Sequence, residues 1–381
     1  MTGRDKILAA FTVGGTPEIG VVSCYDAIFR RDHWHELTDV PWWYLNSGVV
    51  EKELLWAEDS FRKSGLEWLS VGPCPSRATR RHCRYEQRPD GVWRVDAATG
   101  QEQRLVEPTP GGVNSDCAAD RHGDPELLPA SKEEVEALIP AAPAPDLDRS
   151  RAEGCQDVVT AFRQHLDLML YGHIPSPVWG LYGLLGYEGM MLFIARQPAL
   201  AAYAGRRLLE NTRGQIRTLS ALGADAVWIE ECLTDQINPA AFAAVNVPLM
   251  QQCVREIRDC GLKSMYYYCG NPNDRLELIL EAGADAVHFE EGKKGFRIDI
   301  EEIAARIAGR CTLFGNLDAI GVLQNGSEME LAAEIRRQIQ AGIRNGGRFI
   351  MSTGSPITPG TPVARVRQYT DLAREFGGMG L

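Results

Sequence analysis

The second half of the chain alternates amphipathic segments with short apolar runs that are typical of buried strands. Two stretches repeat one pattern: residues 221–231 read ALGADAVWIEE and residues 281–291 read EAGADAVHFEE. Each follows an amphipathic helix, contains a helix-ending glycine and closes on two glutamates. A third unit lies between them, with a helix near 248–260 and a strand at 262–270. Alternating strands and helices predict a parallel sheet, and this many units predict an α/β fold, the (β/α)₈ TIM barrel.

The first half of the chain departs from this rhythm. Residues 84–107 alternate polar and apolar positions around turn signals, which predicts a β-meander inserted in the N-terminal half of the barrel. Residues 108–146 are rich in glycine, proline, aspartate and alanine, and are predicted to be loop and linker. We therefore predict a single domain over residues 1–381 that carries this insertion. Five of the eight tryptophans fall within residues 30–68, either as core packing or as an aromatic wall for a substrate.

Polar side chains stand where the predicted strands end, which is where barrels of this kind carry their chemistry. Because side chains alternate along a strand, Trp228 and Glu230 share one face, as do His288 and Glu290. If that face points inward, Glu230, His288 and Glu290 look into one mouth, where they would raise each other's pKa or bind a cation. The alternative is that these acids pair with basic residues at the rim. The catalytic candidates are Glu230, Glu231, Tyr267, His288 and Glu290, and the substrate-binding candidates are Tyr25, Asp26, Trp228, Tyr268, Asn316, Asp318 and Ser355.

The net charge and the composition of the chain disfavour some classes of binding partner. The net charge of −11 disfavours non-specific binding to nucleic acid, which a polyanion would repel. No apolar run approaches the length of a membrane span, and the first residues lack the apolar core of a signal peptide. Ten cysteines without CxxC pairs are typical of reduced thiols. We therefore expect a cytoplasmic protein with no nucleic-acid or membrane partner, and leave a homo-oligomer open.

Several stretches between about 178 and 376 resemble the uroporphyrinogen decarboxylase superfamily. They are VWGLYGLLGYEGMM, GADAVWIEE, YYYCGN, EAGADAVHFEE, LFGNLDAIGVLQNG and GGRFIMSTGSPITPGTP. The resemblance implies one of two reactions: metal-free decarboxylation of uroporphyrinogen, or methyl transfer between a small substrate, a corrinoid protein and an acceptor, usually with zinc. The arginine-rich segment of the decarboxylases is absent near Arg30 and Arg31, which favours the methyltransferases.

The zinc ligands that this resemblance implies are only partly matched. Where thiol-directed methyltransferases resemble one another in an H-x-C and a later cysteine, this chain has Tyr267-x-Cys269 and Ser355. Where O-demethylases have E-x14-E-x20-H, it has Glu231 followed by Asn246 and Tyr267. In each pattern one ligand of three remains.

Two interpretations of the site stay open at this point. A remodelled zinc site would use Glu231 and Cys269 with His288 or Glu290. A metal-free site would use the tyrosines of the YYYCGN strand as hydrogen-bond donors or acids towards a leaving oxygen. Cys269 itself is either a thiolate ligand or nucleophile, or a small residue before a turn.

We predict a corrinoid-dependent methyltransferase component. It would move a methyl group from a small methoxylated or methylamine-type substrate to a corrinoid protein, as an O-demethylase does. The corrinoid would belong to that partner, because the chain has no DxHxxG-type cobalamin-binding sequence. The alternatives are a metal-free decarboxylase or lyase acting on a small carboxylated substrate, and a non-catalytic ligand-binding member of the family.

Overall fold

Parallel strands dominate the computed structural model, which describes residues 1–15, 18–111, 128–292 and 295–378. The strands are β1 Gly20–Val21, β2 Trp68–Ser70, β3 Cys83–Arg88, β4 Gly91–Asp96, β5 Glu102–Leu105, β6 Met169–Pro175, β7 Ala226–Cys232, β8 Lys263–Cys269, β9 Ala286–Phe289, β10 Thr312–Phe314 and β11 Phe349–Met351. Eight of them form one sheet in the order β1-β11-β10-β9-β8-β7-β6-β2. All its strand pairs are parallel.

Helices connect these strands and cover the outside of the sheet. They are α1 Gly3–Ala10, α2 Asp26–Asp32, α3 Trp34–Leu37, α4 Val50–Ser64, α5 Arg77–His82, α6 Lys132–Leu138, α7 Leu147–Ala152, α8 Asp157–His165, α9 Gly180–Arg196, α10 Pro198–Leu222, α11 Pro239–Ala241, α12 Val247–Asp259, α13 Leu276–Glu281, α14 Ile300–Ile307, α15 Glu328–Arg344 and α16 Val363–Gly378. Within the described ranges, no helix combines the length and apolar character that crossing a bilayer requires.

The two edge strands of the sheet, β1 and β2, are joined through Glu67. Its backbone N–H donates to the carbonyl of Val21 at 2.9 Å, and its carboxylate accepts from the N–H of Val21 at 2.8 Å. This contact joins the two edges of the sheet. The predicted α/β TIM-barrel fold is therefore confirmed.

Alternation along each strand separates an inner from an outer layer. The inward residues form one apolar cluster, which also includes Ile7 of α1 and Phe11, the residue directly after α1. The outward residues pack under the helices as a second and larger cluster. Which strand-end residues face the mouth follows from this alternation. The inward cluster includes Val22, Cys24, Trp68, Tyr171, Trp228, Tyr267, Phe314 and Ile350.

The N-terminal insertion is a three-stranded antiparallel sheet of β3, β4 and β5, as the sequence predicts. The prediction of loop and linker over 108–146 is wrong in part, because α6 lies within it. Ser131 caps this helix by accepting from the N–H of Glu134, and Val135 anchors it in the core. A serine three residues before a glutamate is a helix-start signal that the glycine- and proline-rich surroundings obscured. Residues 112–127 of the same segment lie outside the described residues.

Candidate active site

Three side chains meet at the carboxyl ends of strands in the eight-stranded sheet: Tyr25, His173 and Glu230. Tyr25 follows β1 in a left-handed backbone conformation (φ 51°) that opens α2 and turns its ring towards β7. Its hydroxyl donates to Oε1 of Glu230, and Nε2 of His173 lies 2.9 Å from Oε2 of the same carboxylate. We call this group the Tyr25–Glu230–His173 triad. It links β1, β6 and β7 at one mouth.

The surroundings of the triad set the protonation states of Glu230 and Tyr25. Burial favours the neutral form of Glu230, but the hydrogen bond and charge of His173 and the hydroxyl of Tyr25 outweigh it and lower the pKa of this carboxyl below its ordinary value. Burial and the adjacent carboxylate raise the pKa of Tyr25 well above its ordinary value, so the phenol keeps its proton. The side chain of His173 is 43% exposed and reaches the open mouth. A carboxylate that orients an imidazole in this way can serve proton transfer to a bound ligand.

Aromatic rings line the floor beneath the triad. The rings of Trp228 and Tyr267 stack at 4.9 Å, and the ring of Tyr25 stands edge-on to both, at 4.8 and 5.6 Å. Apolar walls lower the local dielectric, which strengthens the charge interactions of the triad. Tyr267 is buried and its hydroxyl donates to the carbonyl of Gly354 at 3.0 Å. Trp228 and Tyr267 therefore lie below the mouth as its aromatic base.

His288 also faces inward but lies deep in the barrel. It is fully buried, its ring stacks on Phe314, and its Nε2–H donates to the carbonyl of Thr353 at 3.0 Å. Burial lowers the pKa of His288 to about 4, so the imidazole is neutral in the physiological range. In this position His288 ties β9 to the segment that follows β11.

Glu290 and Cys269 lie together on the inward side. The thiol of Cys269 is 3.5 Å from Oε2 of Glu290, and Cys269 is the register partner of Cys232 across β7 and β8. The amide of Asn316 donates to the backbone carbonyl of Glu290 at 3.4 Å. Two thiols and a carboxyl group therefore lie beside the triad.

Glu231 and Tyr268, a predicted catalytic residue and a predicted substrate contact, lie on the opposite face of the sheet. Oε2 of Glu231 accepts from the amide of Asn246 at 2.7 Å and from the hydroxyl of Tyr266 at 3.2 Å, under the outer helices. Tyr268 packs edge-on against Phe242 in the same layer. The prediction that they serve the mouth is wrong, because consecutive strand residues point to opposite faces.

Asp26, another predicted substrate contact, is held in a buried network. Its carboxylate pairs with Arg30 of the same helix and accepts from the hydroxyl of Tyr171 and from the N–H of Ser70. It is 2% exposed. Asp26 therefore braces α2 against β2 and β6.

Asp318 and Ser355, also predicted to bind substrate, make local contacts instead. Asp318 accepts from the N–H groups of Ile320 and Gly321 at 2.9 and 2.8 Å, which caps the π-helix that follows it. Ser355 donates to Oε2 of Glu291 at 2.6 Å. Both interactions order the loops at the mouth.

The residues at the mouth do not fit a zinc ion. Glu231 and Cys269, the predicted joint ligands, point to opposite faces of adjoining strands, so they cannot share a metal. A hydrogen bond from the thiol of Cys232 to Cys269, burial and the charge of Glu230 raise the pKa of Cys232 above its ordinary value. Across the part of the chain that the structure describes, no three His, Cys, Asp or Glu side chains are grouped to hold a metal.

Sequence reasoning missed His173 and Cys232. His173 lies in β6, a strand within a region that carries no repeat or recognisable motif, so its alternation alone could not assign it a partner. Cys232 directly follows Glu230 and Glu231 in β7. It lies two residues beyond Glu230 and therefore shares its face of the strand, which was the available signal.

Glu231 should make folding stability depend on pH. Burial raises its pKa from 4.5 to about 7 in the folded protein, so its bound proton stabilises the fold fully below pH 4.5, and this contribution is lost as the pH rises through 7. A difference of this size corresponds to about 3 kcal/mol. We expect Glu231→Gln to gain up to that amount relative to the unaltered protein between pH 5 and 8.5, measured by urea unfolding. The exposed Glu153→Gln is the control, and parallel profiles for Glu231→Gln and the unaltered protein would contradict the assignment.

Comparisons with known proteins give this geometry a context. A family model described as uroporphyrinogen decarboxylase (URO-D) matches residues 91–376. Methylcobamide:CoM methyltransferase MtbA of Methanosarcina mazei is 22% identical over 156 residues, which cover 40% of this chain and 43% of that protein. Uroporphyrinogen decarboxylase of Coxiella burnetii is 25% identical over 217 residues, which cover 54% of this chain and 58% of that protein. The chain thus spans about half the length of these curated relatives.

A solved structure shares the whole fold. A methyltransferase from Methanosarcina mazei superposes with a TM-score of 0.67 over 99% of both chains, at 18% sequence identity. At this identity the likeness concerns the fold.

Proposed function

Because the chain belongs to the uroporphyrinogen decarboxylase family, we propose that it is a corrinoid-dependent methyltransferase that acts on a small methylated substrate. The observation that carries the proposal is the Tyr25–Glu230–His173 triad, an ionised carboxylate and a solvent-reaching imidazole at the mouth of the barrel. The similarity to a methylcobamide:CoM methyltransferase supports a corrinoid protein as the partner in methyl transfer.

The triad supplies the proton that this reaction needs. When the methyl group leaves a methoxylated or methylamine-type substrate, the bond between its carbon and the substrate oxygen or nitrogen breaks, and that atom keeps the electron pair. His173 delivers a proton to it, which lowers the barrier to departure. Glu230 stabilises the imidazolium beforehand, and Tyr25 holds the carboxylate in place. The corrinoid, carried by a partner protein, supplies the nucleophile for the methyl group.

Methyl transfer to reduced cobalamin tests the proposal. Purified protein, 4-methoxyphenol or trimethylamine, and reduced cobalamin should give the absorbance change of corrinoid methylation, at a rate proportional to protein concentration. The same mixture without the protein is the control. No methylation with any methoxylated or methylamine probe, with reduced cobalamin or with a corrinoid protein, would rule the proposal out.

Decarboxylation is the second candidate, favoured by the similarity to the decarboxylase of Coxiella burnetii. The only arginine from the N-terminal pair that reaches the inner network, Arg30, is already paired with Asp26. It therefore offers little to a substrate with several carboxylates. Release of carbon dioxide from a carboxylated porphyrinogen, without any methyl transfer, would favour this candidate.

A further inference from the structure

Strand β5 forms one edge of the three-stranded insertion sheet, and its residues Glu102, Gln103 and Arg104 are exposed. An edge strand presents a row of backbone N–H and C=O groups, which proteins protect from pairing with proline, bulges or charged side chains. β5 contains no proline. Its register with β4 advances one residue for one residue over all four pairs, so no bulge bends it. Whether this edge pairs with another strand therefore depends on its charges.

The hydrogen bonds to β4 determine which residues of β5 turn their backbone groups outward. The N–H of Asp96 donates to the carbonyl of Gln101 at 2.9 Å, just before the first residue of β5. In an antiparallel pair, residues that bond one neighbouring strand alternate with residues that face the other side. The odd-numbered residues from Gln101 to Leu105 thus face β4. Glu102 and Arg104 direct their N–H and C=O groups away from the sheet.

These two outward-facing residues carry opposite charges, which makes the edge complementary to a second copy of itself. A two-fold axis beside Gln103 places Glu102 opposite the partner's Arg104, and Arg104 opposite the partner's Glu102. Each of these two pairs exchanges two backbone hydrogen bonds. Opposite charges directly across such a pair are favourable.

The neighbouring registers lack this complementarity. Outward-facing residues occur at every second position, so the axis can shift only to Glu102 or to Arg104. An axis at Glu102 sets two glutamates against each other, and an axis at Arg104 sets two arginines against each other. Like charges directly opposite are destabilising. The charges therefore select the register centred on Gln103.

The carboxylate of Glu102 is also held from within the sheet. It accepts from the guanidinium of Arg88 in β3 through both oxygens, at 2.7 and 2.8 Å. This hydrogen bond lowers the pKa of Glu102 below its ordinary value, so the side chain is ionised at neutral pH. A carboxylate has lone pairs for a second arginine, so Glu102 can meet Arg88 and the partner's Arg104 together.

From this pattern we propose that the protein forms a homodimer in which β5 pairs antiparallel with β5 of a second copy, giving one continuous six-stranded sheet. The same register covers Val106, which is 81% exposed, by placing it opposite the partner's Gly100. Because the paired segment is short, the dimer is reversible. None of these residues belongs to the triad, so the proposal is independent of the proposed function.

Sedimentation velocity over about 1–300 µM protein, at low salt, tests whether the dimer forms. We expect the monomer to give way to a dimer as the concentration rises. Arg104→Glu should weaken dimerisation at least about tenfold, because glutamates then face each other in both pairs. Arg104→Lys keeps the charge and is the matched control, with a dissociation constant within about threefold of the unaltered protein.

Mixing two variants tests the register itself. Glu102→Arg leaves only arginines at the two outward positions, and Arg104→Glu leaves only glutamates, so each variant alone should be monomeric. An equimolar mixture should form a heterodimer, because every pair across the two strands is again glutamate with arginine. Arg88→Gln is the control for the lost contact within the sheet, and it should dimerise like the unaltered protein.

Thermal melting identifies a misfolded Glu102→Arg, and the comparison of Arg104→Glu with Arg104→Lys then decides alone. A protein that stays monomeric at every concentration would overturn the proposal. A dimer that Arg104→Glu leaves intact would place the interface elsewhere and overturn it too, as would two folded variants that fail to associate when mixed.

Discussion

Glu230→Gln is expected to lower kcat for methyl transfer by about 100- to 10,000-fold. Glutamine has the shape of glutamate and can still accept from the hydroxyl of Tyr25 and contact the ring of His173. It loses the negative charge that stabilises the protonated imidazole. The loss should fall on kcat rather than on KM, because the charge matters when the proton moves.

His173→Gln should cause a loss of similar size, and the double variant should be little worse than either single one. Groups that act as a unit are not additive, so this pattern separates the triad from two unrelated contributions. Asp318→Asn is the matched control. If Asp318 only caps the π-helix, asparagine can replace it and the rate should stay within about threefold. A Glu230→Gln enzyme with a normal kcat would remove the triad from the mechanism.

The pattern of hydrophobic and polar positions was sufficient for the barrel. The repeated GADAV…EE stretches became β7 and β9, and the helix predicted near 248–260 is α12. These elements are long and periodic, so local pattern and final structure agree. Helix α6 was missed, because it is a short helix whose start signal lies in a sequence otherwise typical of loops.

The sequence predicted the position of a site residue only where the alternation of side chains along a single strand was enough to place it. Glu230, His288 and Glu290 were placed on one face by counting residues, and the structure has them inward. Glu231 was included as a strand-end acid and as the one matched ligand of the E-x14-E-x20-H pattern, although the same count puts it outside. The same count places Tyr267 on the inward face of β8 and Tyr268 on its outward face.

Contacts between distant segments could not be predicted from spacing. His173 acquires its role only because β6 lies next to β7, where its register partner is Trp228, and Tyr25 reaches Glu230 across 205 residues of sequence. Tertiary packing creates these neighbours, and a single sequence carries no local trace of them.

Glu67→Ala should be the most destabilising single substitution outside the mouth, at about 3–5 kcal/mol in the free energy of unfolding. Glu67 is 3% exposed and pairs with Lys6 of α1, which is 6% exposed. The same carboxylate oxygen pairs with the partly exposed Arg374 of α16, and the second oxygen accepts from the N–H of Val21 where β1 meets β2. Removing the carboxylate leaves an ammonium and a backbone donor buried without this partner. Urea unfolding followed by circular dichroism measures the loss.

A double variant tests whether the loss comes from the unpaired charge of Lys6 or from the N–H of Val21 that has lost its acceptor. If the cost comes from leaving Lys6 charged and unpaired, Lys6→Met together with Glu67→Gln should recover most of the stability that Glu67→Ala loses. The double variant leaves only Arg374 without its carboxylate partner, and this side chain is 28% exposed and also lies beside Asp371. Glu153→Gln removes one partner of the exposed pair with Arg149 and should change stability by less than about 0.5 kcal/mol. A double variant as unstable as Glu67→Ala would instead locate the cost in the junction of β1 and β2, where the N–H of Val21 needs a carboxylate rather than an amide.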